Sequence, residues 1–206
     1  MRILFILITL LFAPAIHART VSEFFATAPD DVIRLIPQST RLDMLDYFNY
    51  GSSRASENYF GGSSRVKALS DAVLDIQVDE NVEMQFAVLP AKNDTMIAVV
   101  TTLYLPVADS SVKFYTSEWK PVNKPPFEMP SYDKWLTPAG VASVTDLKPY
   151  LPFMPVSASF NSDATVLSLF NNADEYLGEK QFEKFSPWIV PSMDYSVVSN
   201  RFSLKK

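Results

Sequence analysis

The sequence predicts an α+β protein in which an antiparallel meander sheet is covered by N-terminal helices and followed by a second, smaller strand-helix-strand portion. Helical spacing and capping signals dominate the chain up to Gly51, and from Ala72 onward apolar and polar residues alternate. Eight of the fifteen prolines lie within residues 121–155, which excludes a regular central strand or a long helix there. Segment 121–149 is therefore interpreted as an extended crossover between the two portions.

The chain opens with the features of a secretory signal peptide. Arg2 gives a positive start, residues 3–12 form an apolar run, and the small residues Ala15 and Ala18 follow. Cleavage after Ala18 would leave a mature chain that starts at Arg19, and cleavage after Ala15 is the alternative. The apolar run is half of the roughly 20 residues that a membrane-spanning helix needs, so a cleaved signal is favoured over an anchor. The predicted location is periplasmic or secreted.

Removal of residues 1–18 leaves 188 of the 206 residues, enough to bury a core of their own. We expect residues 19–206 to form a single α+β domain. The alternative of two lobes, 19–120 and 150–206, joined by the Pro-rich segment 121–149 stays open.

Composition excludes several classes of chemistry. The chain has no cysteine, and its one histidine, His17, lies in the signal peptide. The mature chain therefore lacks the residues for Ser-His-Asp or Cys-His catalysis, for His- or Cys-ligated zinc, and for disulfides. It keeps 17 basic residues against 23 acidic ones, which argues against a nucleic-acid partner. No catalytic residue, metal site, cofactor or membrane span is predicted for it.

Three helices are predicted at the start of the mature chain. Thr20 and Glu23 fit a capping box that opens the first helix. Asp30 and Asp31 favour the N-terminus of a second, short helix that ends at Pro37.

A further capping box, residues 40–43, is predicted to open the third helix. Its spacing places Leu42, Leu45 and Phe48 on one stripe that would cover a sheet. The stretch 51–65 is rich in glycine and serine and is interpreted as an ordered loop.

The period-two pattern predicts strands over 72–78 and 82–88. Placing Val78 opposite Val82 keeps the apolar residues on one face and leaves a three-residue loop, with Asn81 in the left-handed conformation. Further strands are predicted at 97–105, 112–116, 156–161 and 165–171, a helical stretch at 174–188 apart from Gly178, and a last strand or tight hairpin at 194–204.

This register gives the first sheet a polar face. Asp75 faces Gln85, and Gln77 faces Glu83. The carboxylates on this face are expected to be solvated rather than gathered in a cleft that raises a pKa.

Three segments carry a resemblance to a known family: residues 41–48 (RLDMLDYF), 61–65 (GGSSR) and 200–202 (NRF). In order and spacing they resemble a family of exported proteins of unknown function found in Bacteroidales. That family has a Trp and a Gly ahead of its closing basic-Phe pair, where this chain has Val197 and Ser199. The resemblance implies an exported protein of the same fold, and it implies no activity or catalytic residue.

Two local features suggest anion binding, but each has a simpler interpretation. Gly61-Gly62 lacks the rest of a phosphate-binding motif, so a turn that needs positive φ is favoured. Arg65 could clamp a carboxylate or phosphate of a ligand, but an ion pair with Asp43 or Asp46 is favoured.

The acids Asp174, Glu175 and Glu179 lack the spacing of a calcium loop and are interpreted as a solvated helix start.

Aromatic residues offer a binding surface, because several lie in or near loops where they could stack on sugars or anchor a partner. The candidate surface consists of Tyr47, Tyr50, Tyr59 and Phe60, and Trp119 and Trp135 are further loop candidates. Burial in the core is favoured for these aromatic residues as a group.

A modification site is predicted at the tip of the hairpin 91–95. Asp94-Thr95-Met96 resembles the Asp-Thr/Ser-apolar acceptor pattern that Bacteroidales use for O-linked glycans on exported proteins. The alternative is that Thr95 is an ordinary turn residue.

The leading functional hypothesis is an exported, non-enzymatic accessory or binding protein of the periplasm or cell envelope, whose partner is another envelope protein or a glycan. The alternative is a carboxylate-dependent hydrolase acting on glycans. Two carboxylates about 5 to 9.5 Å apart in a cleft would favour the alternative.

Overall fold

The computed structural model describes residues 19–52, 54–89 and 95–205. The predicted signal peptide, residues 1–18, and most of the hairpin tip 91–95 lie outside the described residues. The elements are α1 Val21–Thr27, α2 Gln38–Asn49, β1 Ser56–Glu57, β2 Ser63–Leu69, β3 Val73–Gln77, β4 Val82–Leu89, β5 Met96–Leu103, β6 Asp109–Thr116, α3 Pro138–Ala142, α4 Val144–Leu147, β7 Val156–Phe160, β8 Val166–Asn171, α5 Ala173–Leu177, α6 Glu179–Phe185, β9 Ser192–Val198 and β10 Arg201–Leu204.

Two antiparallel sheets form the body of the protein. The first has six strands in the order β1-β2-β3-β4-β5-β6, and the second has four in the order β10-β9-β8-β7. The prediction of an α+β protein with a meander sheet, N-terminal helices and a smaller second portion is confirmed. Across the described ranges, no helix is long and apolar enough to cross a membrane.

The first sheet is the middle of three layers. One of its faces carries Ile76 and Phe86, which share a buried cluster with Phe25 of α1 and Met44 of α2. The opposite face packs against the second sheet in a separate apolar cluster that includes Ala98, Val100, Val156, Ala158, Leu167 and Leu169. Both faces of the middle sheet are therefore covered along part of their length.

Strand β7 is the edge of the second sheet that meets the first sheet. The backbone N–H of Val156 donates to Asp109 Oδ1 at 3.0 Å, and that of Ala158 donates to Ser110 Oγ at 3.0 Å. Side chains of β6 thus satisfy N–H groups that an edge strand leaves unpaired.

The predicted register of β3 and β4 is confirmed. Asp75 pairs with Gln85, Gln77 pairs with Glu83, and the N–H of Val78 donates to Val82 O at 2.9 Å.

The prediction of a left-handed Asn81 is wrong, since this residue is not among those with positive φ. The loop closes instead through Asp79 Oδ1, which accepts the N–H of Asn81 at 2.8 Å. This side chain-to-backbone turn holds the loop without a left-handed residue.

The first predicted helix is confirmed, with its capping box between Thr20 and Glu23. The second is wrong, because residues 30–36 form turns. Asp30 does not cap a helix there and binds the guanidinium of Arg41 instead.

The third predicted helix exists but begins at Gln38, so the capping box at residues 40–43 is wrong. Its buried face consists of Arg41, Met44 and Leu45, whereas Leu42 is 49% exposed. The stripe predicted from Leu42 is rotated because a fully buried arginine occupies the face that apolar residues were expected to fill.

Arg41 joins α1, the turns and α2. Its Nε donates to Ile36 O at 2.9 Å, and its Nη1 donates to the carbonyl oxygens of Phe25 and Ala28. Its Nη2 donates to Asp30 Oδ1 at 2.6 Å. Burial lowers the pKa of Arg41, and the neighbouring Asp30 opposes that shift.

The prediction of an ordered loop over 51–65 is wrong in part, because this stretch contains β1 and the start of β2. Ser64 of β2 is fully buried, and its hydroxyl donates to Val78 O at 2.5 Å. A polar residue at an inward position of β2 interrupts the apolar alternation by which strands are recognised.

The second half of the chain follows the predicted order. The Pro-rich segment contains no regular strand or long helix, as predicted, but the prediction of an extended crossover is wrong over residues 132–147, which hold a 3₁₀ turn at Tyr132–Trp135 and the short helices α3 and α4. The other predicted strands and the helical stretch interrupted at Gly178 are confirmed.

The chain closes with the tight hairpin that was one of two predicted outcomes. Val198 pairs with Arg201, and both residues between them have positive φ, 49° at Ser199 and 60° at Asn200. Val197 is buried in the apolar cluster between the sheets. The two positions at which this chain departs from the family it resembles are therefore a turn position, where glycine is favoured, and a core position.

Candidate functional site

The predicted aromatic surface is mostly exposed. Tyr50 is 88% exposed, Tyr59 is 60% exposed and Phe60 is 82% exposed, while Tyr47 is half-buried. The prediction that these aromatic residues are buried in the core is therefore wrong for Tyr50, Tyr59 and Phe60.

The two tryptophans are buried, as that interpretation expects. Trp119 is 7% exposed and joins the cluster under the helices, and Trp135 is fully buried between the sheets. Neither is available to a ligand.

The loop that carries Phe60 is fixed by Asn58. The Oδ1 of Asn58 accepts the N–H groups of Phe60 at 3.0 Å and Gly62 at 2.9 Å, and its Nδ2 donates to Val78 O at 3.0 Å. Gly61 has φ of 75°, and a Cβ on Gly62 would lie 2.8 Å from Asn58 Nδ2. The Gly61-Gly62 pair therefore forms a turn, the interpretation that the sequence favours over a phosphate-binding motif, and both positions need glycine.

Beside this loop lies a polar cavity of about 660 Å³, which we call the aromatic-rimmed hollow. Its lining includes Phe60, Asn58, Arg65, Gln77, Asp79 and Asn81. Arg65 Nε donates to Gln77 Oε1 at 2.9 Å. The predicted ion pair of Arg65 with Asp43 or Asp46 is wrong, since no ion pair of Arg65 is found within the described part of the chain.

A second cavity of about 570 Å³, the basic hollow, adjoins the first because Arg65 lines both. Its cationic lining is Arg54, Arg65 and Lys67, and its apolar lining is Met44, Phe48 and Val66. The loop between α2 and β2 thus borders two neighbouring hollows of different chemistry.

A third cavity, about 400 Å³, is the inter-sheet cleft. On one side it is lined by Lys67, Asp75, Glu83 and Gln85 of the first sheet and by Tyr104, which directly follows β5. On the other side it is lined by Ser157 and Ser159 of β7. The prediction of an open, solvated polar face is wrong here, because the second sheet covers part of that face.

Glu83 is the centre of a polar network in this cleft. Lys67 Nζ lies 2.5 Å from Glu83 Oε1, and the Tyr104 hydroxyl donates to Glu83 Oε2 at 2.9 Å. Burial and this hydrogen bond raise the pKa of Tyr104 to about 12. The tyrosine is therefore a protonated donor at neutral pH.

Asp75 lies diagonally across the strand pair from Glu83, because Asp75 pairs with Gln85 and Gln77 pairs with Glu83. Cβ atoms in such diagonal positions are about 7 Å apart. Burial raises the pKa of the Asp75 carboxyl, and a hydrogen bond with Gln85 partly opposes the shift. The sequence-based expectation that these acids would not share a cleft is wrong.

The remaining candidate residues lie elsewhere. Asp174 and Glu175 occupy the first turn of α5, and Glu179 opens α6. In the portion of the chain that the structure describes, no three His, Cys, Asp or Glu side chains are grouped to hold a metal. Thr95 is half-buried immediately before β5, and Asp94 lies outside the described residues.

The fold and the hollows together define a three-layer α+β protein that presents exposed aromatic residues on a fixed loop. The chain belongs to the family of proteins of unknown function DUF3256, whose model matches residues 13–202. A domain of an uncharacterized protein from Porphyromonas gingivalis W83 has a similar fold, with a TM-score of 0.71 and 23% sequence identity, covering 90% of this chain and 97% of that chain. No curated protein matches the chain significantly.

Proposed function

We propose that the protein is an exported, non-enzymatic binding protein of the periplasm or cell envelope, and that its ligand is a glycan bound over the aromatic-rimmed hollow. The observation that carries the proposal is Phe60, which is 82% exposed on a loop that Asn58 holds in place beside a polar cavity. Export is supported by the signal-like features of residues 1–18 and by the family resemblance.

A fixed, exposed aromatic side chain is suited to sugar binding. Sugar rings present apolar C–H faces that pack on an aromatic ring, and their hydroxyl groups require hydrogen-bonding partners beside it. The hollow supplies such partners in Asn81, Gln77 and Asp79. Because the loop is already ordered by backbone hydrogen bonds, little conformational entropy is lost when a ligand binds.

The test is binding of residues 19–206 to a glycan array, followed by calorimetry on the oligosaccharides that bind. Phe60→Ala is expected to weaken binding at least tenfold, since hot-spot aromatic residues contribute about 2 kcal/mol or more. Phe170→Ala is the matched control, because Phe170 is also exposed, at 49%, but lies on the second sheet. Equal loss in both variants would contradict the proposal.

A partner protein is the other occupant to be tested. Residues 19–206 and the Phe60→Ala variant are used to capture proteins from native envelope extract. If the unaltered protein captures a partner that the Phe60→Ala variant does not, and no glycan on the array binds, the binding function is kept and the glycan ligand is rejected.

A second candidate function is favoured by the inter-sheet cleft. Asp75, with its raised pKa, would act as general acid, and Glu83 would act as nucleophile or base in glycoside hydrolysis. The test is release of reducing ends from envelope glycans, with Asp75→Asn expected to abolish it and Asp71→Asn, in an exposed turn, to leave it unchanged. Absence of any release by the unaltered protein rejects this candidate.

A further inference from the structure

We propose that the glycan bound at this surface is acidic, and that its carboxylate or phosphate group is bound between Arg54 and Arg65 in the basic hollow. The inference rests on the glycan-binding function proposed above. It adds a second subsite to the aromatic-rimmed hollow, to which the basic hollow is joined at Arg65.

The charge of the basic hollow is opposite to that of the chain. The chain has 18 basic and 23 acidic residues, yet three cationic side chains and no Asp or Glu line this cavity, as far as the described residues show. Lys67 is balanced by Glu83, whereas neither arginine has a described carboxylate within ion-pair distance. The lining of the basic hollow therefore has an excess of positive charge, which attracts anions, whereas Asp79 and Glu80 line the adjoining hollow.

Both arginines are held in position. The Cζ of Arg54 lies 5.1 Å from the centroid of the Tyr47 ring, and the Nε of Arg65 is hydrogen-bonded to Gln77. The terminal amino groups of the two side chains make no hydrogen bond to any described residue. A planar guanidinium with unused N–H donors binds carboxylate or phosphate in a bidentate manner.

The floor of the basic hollow fits a sugar ring that carries such a group. Phe48, which is half-buried, provides the apolar surface on which the C–H face of the ring can pack, next to the arginines, while Met44 and Val66 are buried. The adjoining aromatic-rimmed hollow offers carboxylate and amide groups, which suit the hydroxyl groups of a neutral sugar. The two hollows together thus fit an oligosaccharide in which an acidic unit is next to a neutral one.

The test uses an array on which each uronate- or phosphate-bearing oligosaccharide stands beside its neutral counterpart, the methyl ester or the dephosphorylated sugar. Residues 19–206 are expected to bind the acidic member about tenfold more tightly, the usual effect of charge-assisted hydrogen bonds. Arg54→Gln and Arg65→Gln are each expected to bring this ratio close to one. Arg201→Gln, an exposed arginine of β10, is the matched control and is expected to keep the ratio.

The outcomes separate this inference from the function on which it rests. Binding of neutral and acidic members with equal affinity overturns the inference and leaves the glycan-binding function intact. A preference for acidic members that survives both arginine substitutions also overturns it. Failure of the unaltered protein to bind any glycan overturns both. Since both arginines are exposed, circular dichroism should show unchanged folding of the variants.

Discussion

The side-chain amide of Gln85 in β4 forms two hydrogen bonds with the backbone of Phe160 in β7. Its Oε1 accepts the N–H of Phe160 at 2.6 Å, and its Nε2 donates to the carbonyl oxygen of Phe160 at 3.2 Å. Gln85 of the first sheet thus satisfies the two backbone groups of Phe160 that have no neighbouring strand to pair with, since β7 is an edge strand of the second sheet.

Gln85→Leu is expected to lower the free energy of unfolding by about 1–3 kcal/mol, because it leaves both backbone groups of Phe160 without a partner in a partly buried place. Urea denaturation measures the change. Gln181→Leu, on the exposed surface of α6, is the control and should stay within about 0.5 kcal/mol of the unaltered protein. Similar values for the two variants would show that Gln85 does not join the sheets.

Arg41→Met is expected to cost about 3 kcal/mol, since three carbonyl oxygens lose a charged donor inside the core. Asp30→Asn should cost less than about 1 kcal/mol, because the Asp30 side chain is 70% exposed. The comparison by chemical denaturation separates the contribution of the carbonyl bonds from that of the ion pair. A larger loss in Asp30→Asn would mean that the ion pair dominates.

The raised pKa of Asp75 makes a prediction about pH. The folded state holds the proton more tightly than the unfolded state, whose ordinary value is 3.8. The free energy of unfolding therefore falls as pH rises from 3.8 through the raised folded value. Asp75→Asn should remove this fall, so that the variant gains stability relative to the unaltered protein between pH 3 and pH 7 in urea denaturation.

Asp163 provides the control with the opposite sign. Its pKa is lowered by hydrogen bonds from Thr165, so its contribution is present above 3.8 and is lost as pH falls through the folded value. Asp163→Asn should therefore lose a small amount of stability relative to the unaltered protein at pH 7 and none at low pH, the loss being small because Asp163 is exposed to solvent. The same trend in both variants would contradict the assignment.

Ser199→Gly is expected to raise the free energy of unfolding by about 1 kcal/mol, because Ser199 has φ of 49°, where a side chain is strained and glycine is not. Ser203→Gly, at a serine within β10 that is also exposed, should lower it by about 0.5–1 kcal/mol. Thermal denaturation of the two variants gives opposite shifts if the turn is strained. Destabilisation by both substitutions would show that the turn carries no strain.

Thr95 remains the candidate for O-glycosylation. Protein from a native-like host should be heavier than the unmodified chain of residues 19–206, and Thr95→Ala should remove the added mass while leaving the fold intact. Intact-mass spectrometry decides the question. A mass equal to that of the unmodified chain would leave Thr95 as a turn residue.

At several places a local signal predicts the structure correctly. The capping box at Thr20, the alternation along β3 and β4, and the hairpin between Val198 and Arg201 each depend on neighbouring residues. Two of the errors have another cause. Arg41 and Ser64 are polar residues buried at inward positions, and backbone groups distant in sequence make those positions favourable.

The candidate site was predictable only in part. Tyr50, Tyr59 and Phe60 could be predicted as candidates because they are aromatic residues in or near a loop. Arg54 and Lys67 could not, because the basic hollow that they line forms only when α2 packs beside β2. The inter-sheet cleft was missed for a similar reason. The second sheet covers the face that carries Asp75, and a single sequence does not reveal which faces two sheets present to each other.

The loop after β1 separates the residues that hold it from the residues that it presents. Asn58, Gly61 and Gly62 fix the backbone, while Tyr59 and Phe60 point outward and add little to the core. Substitution of Tyr59 or Phe60 should therefore change the surface without unfolding the protein. Related chains can then differ in the surface chemistry of the loop at two positions while keeping the same scaffold.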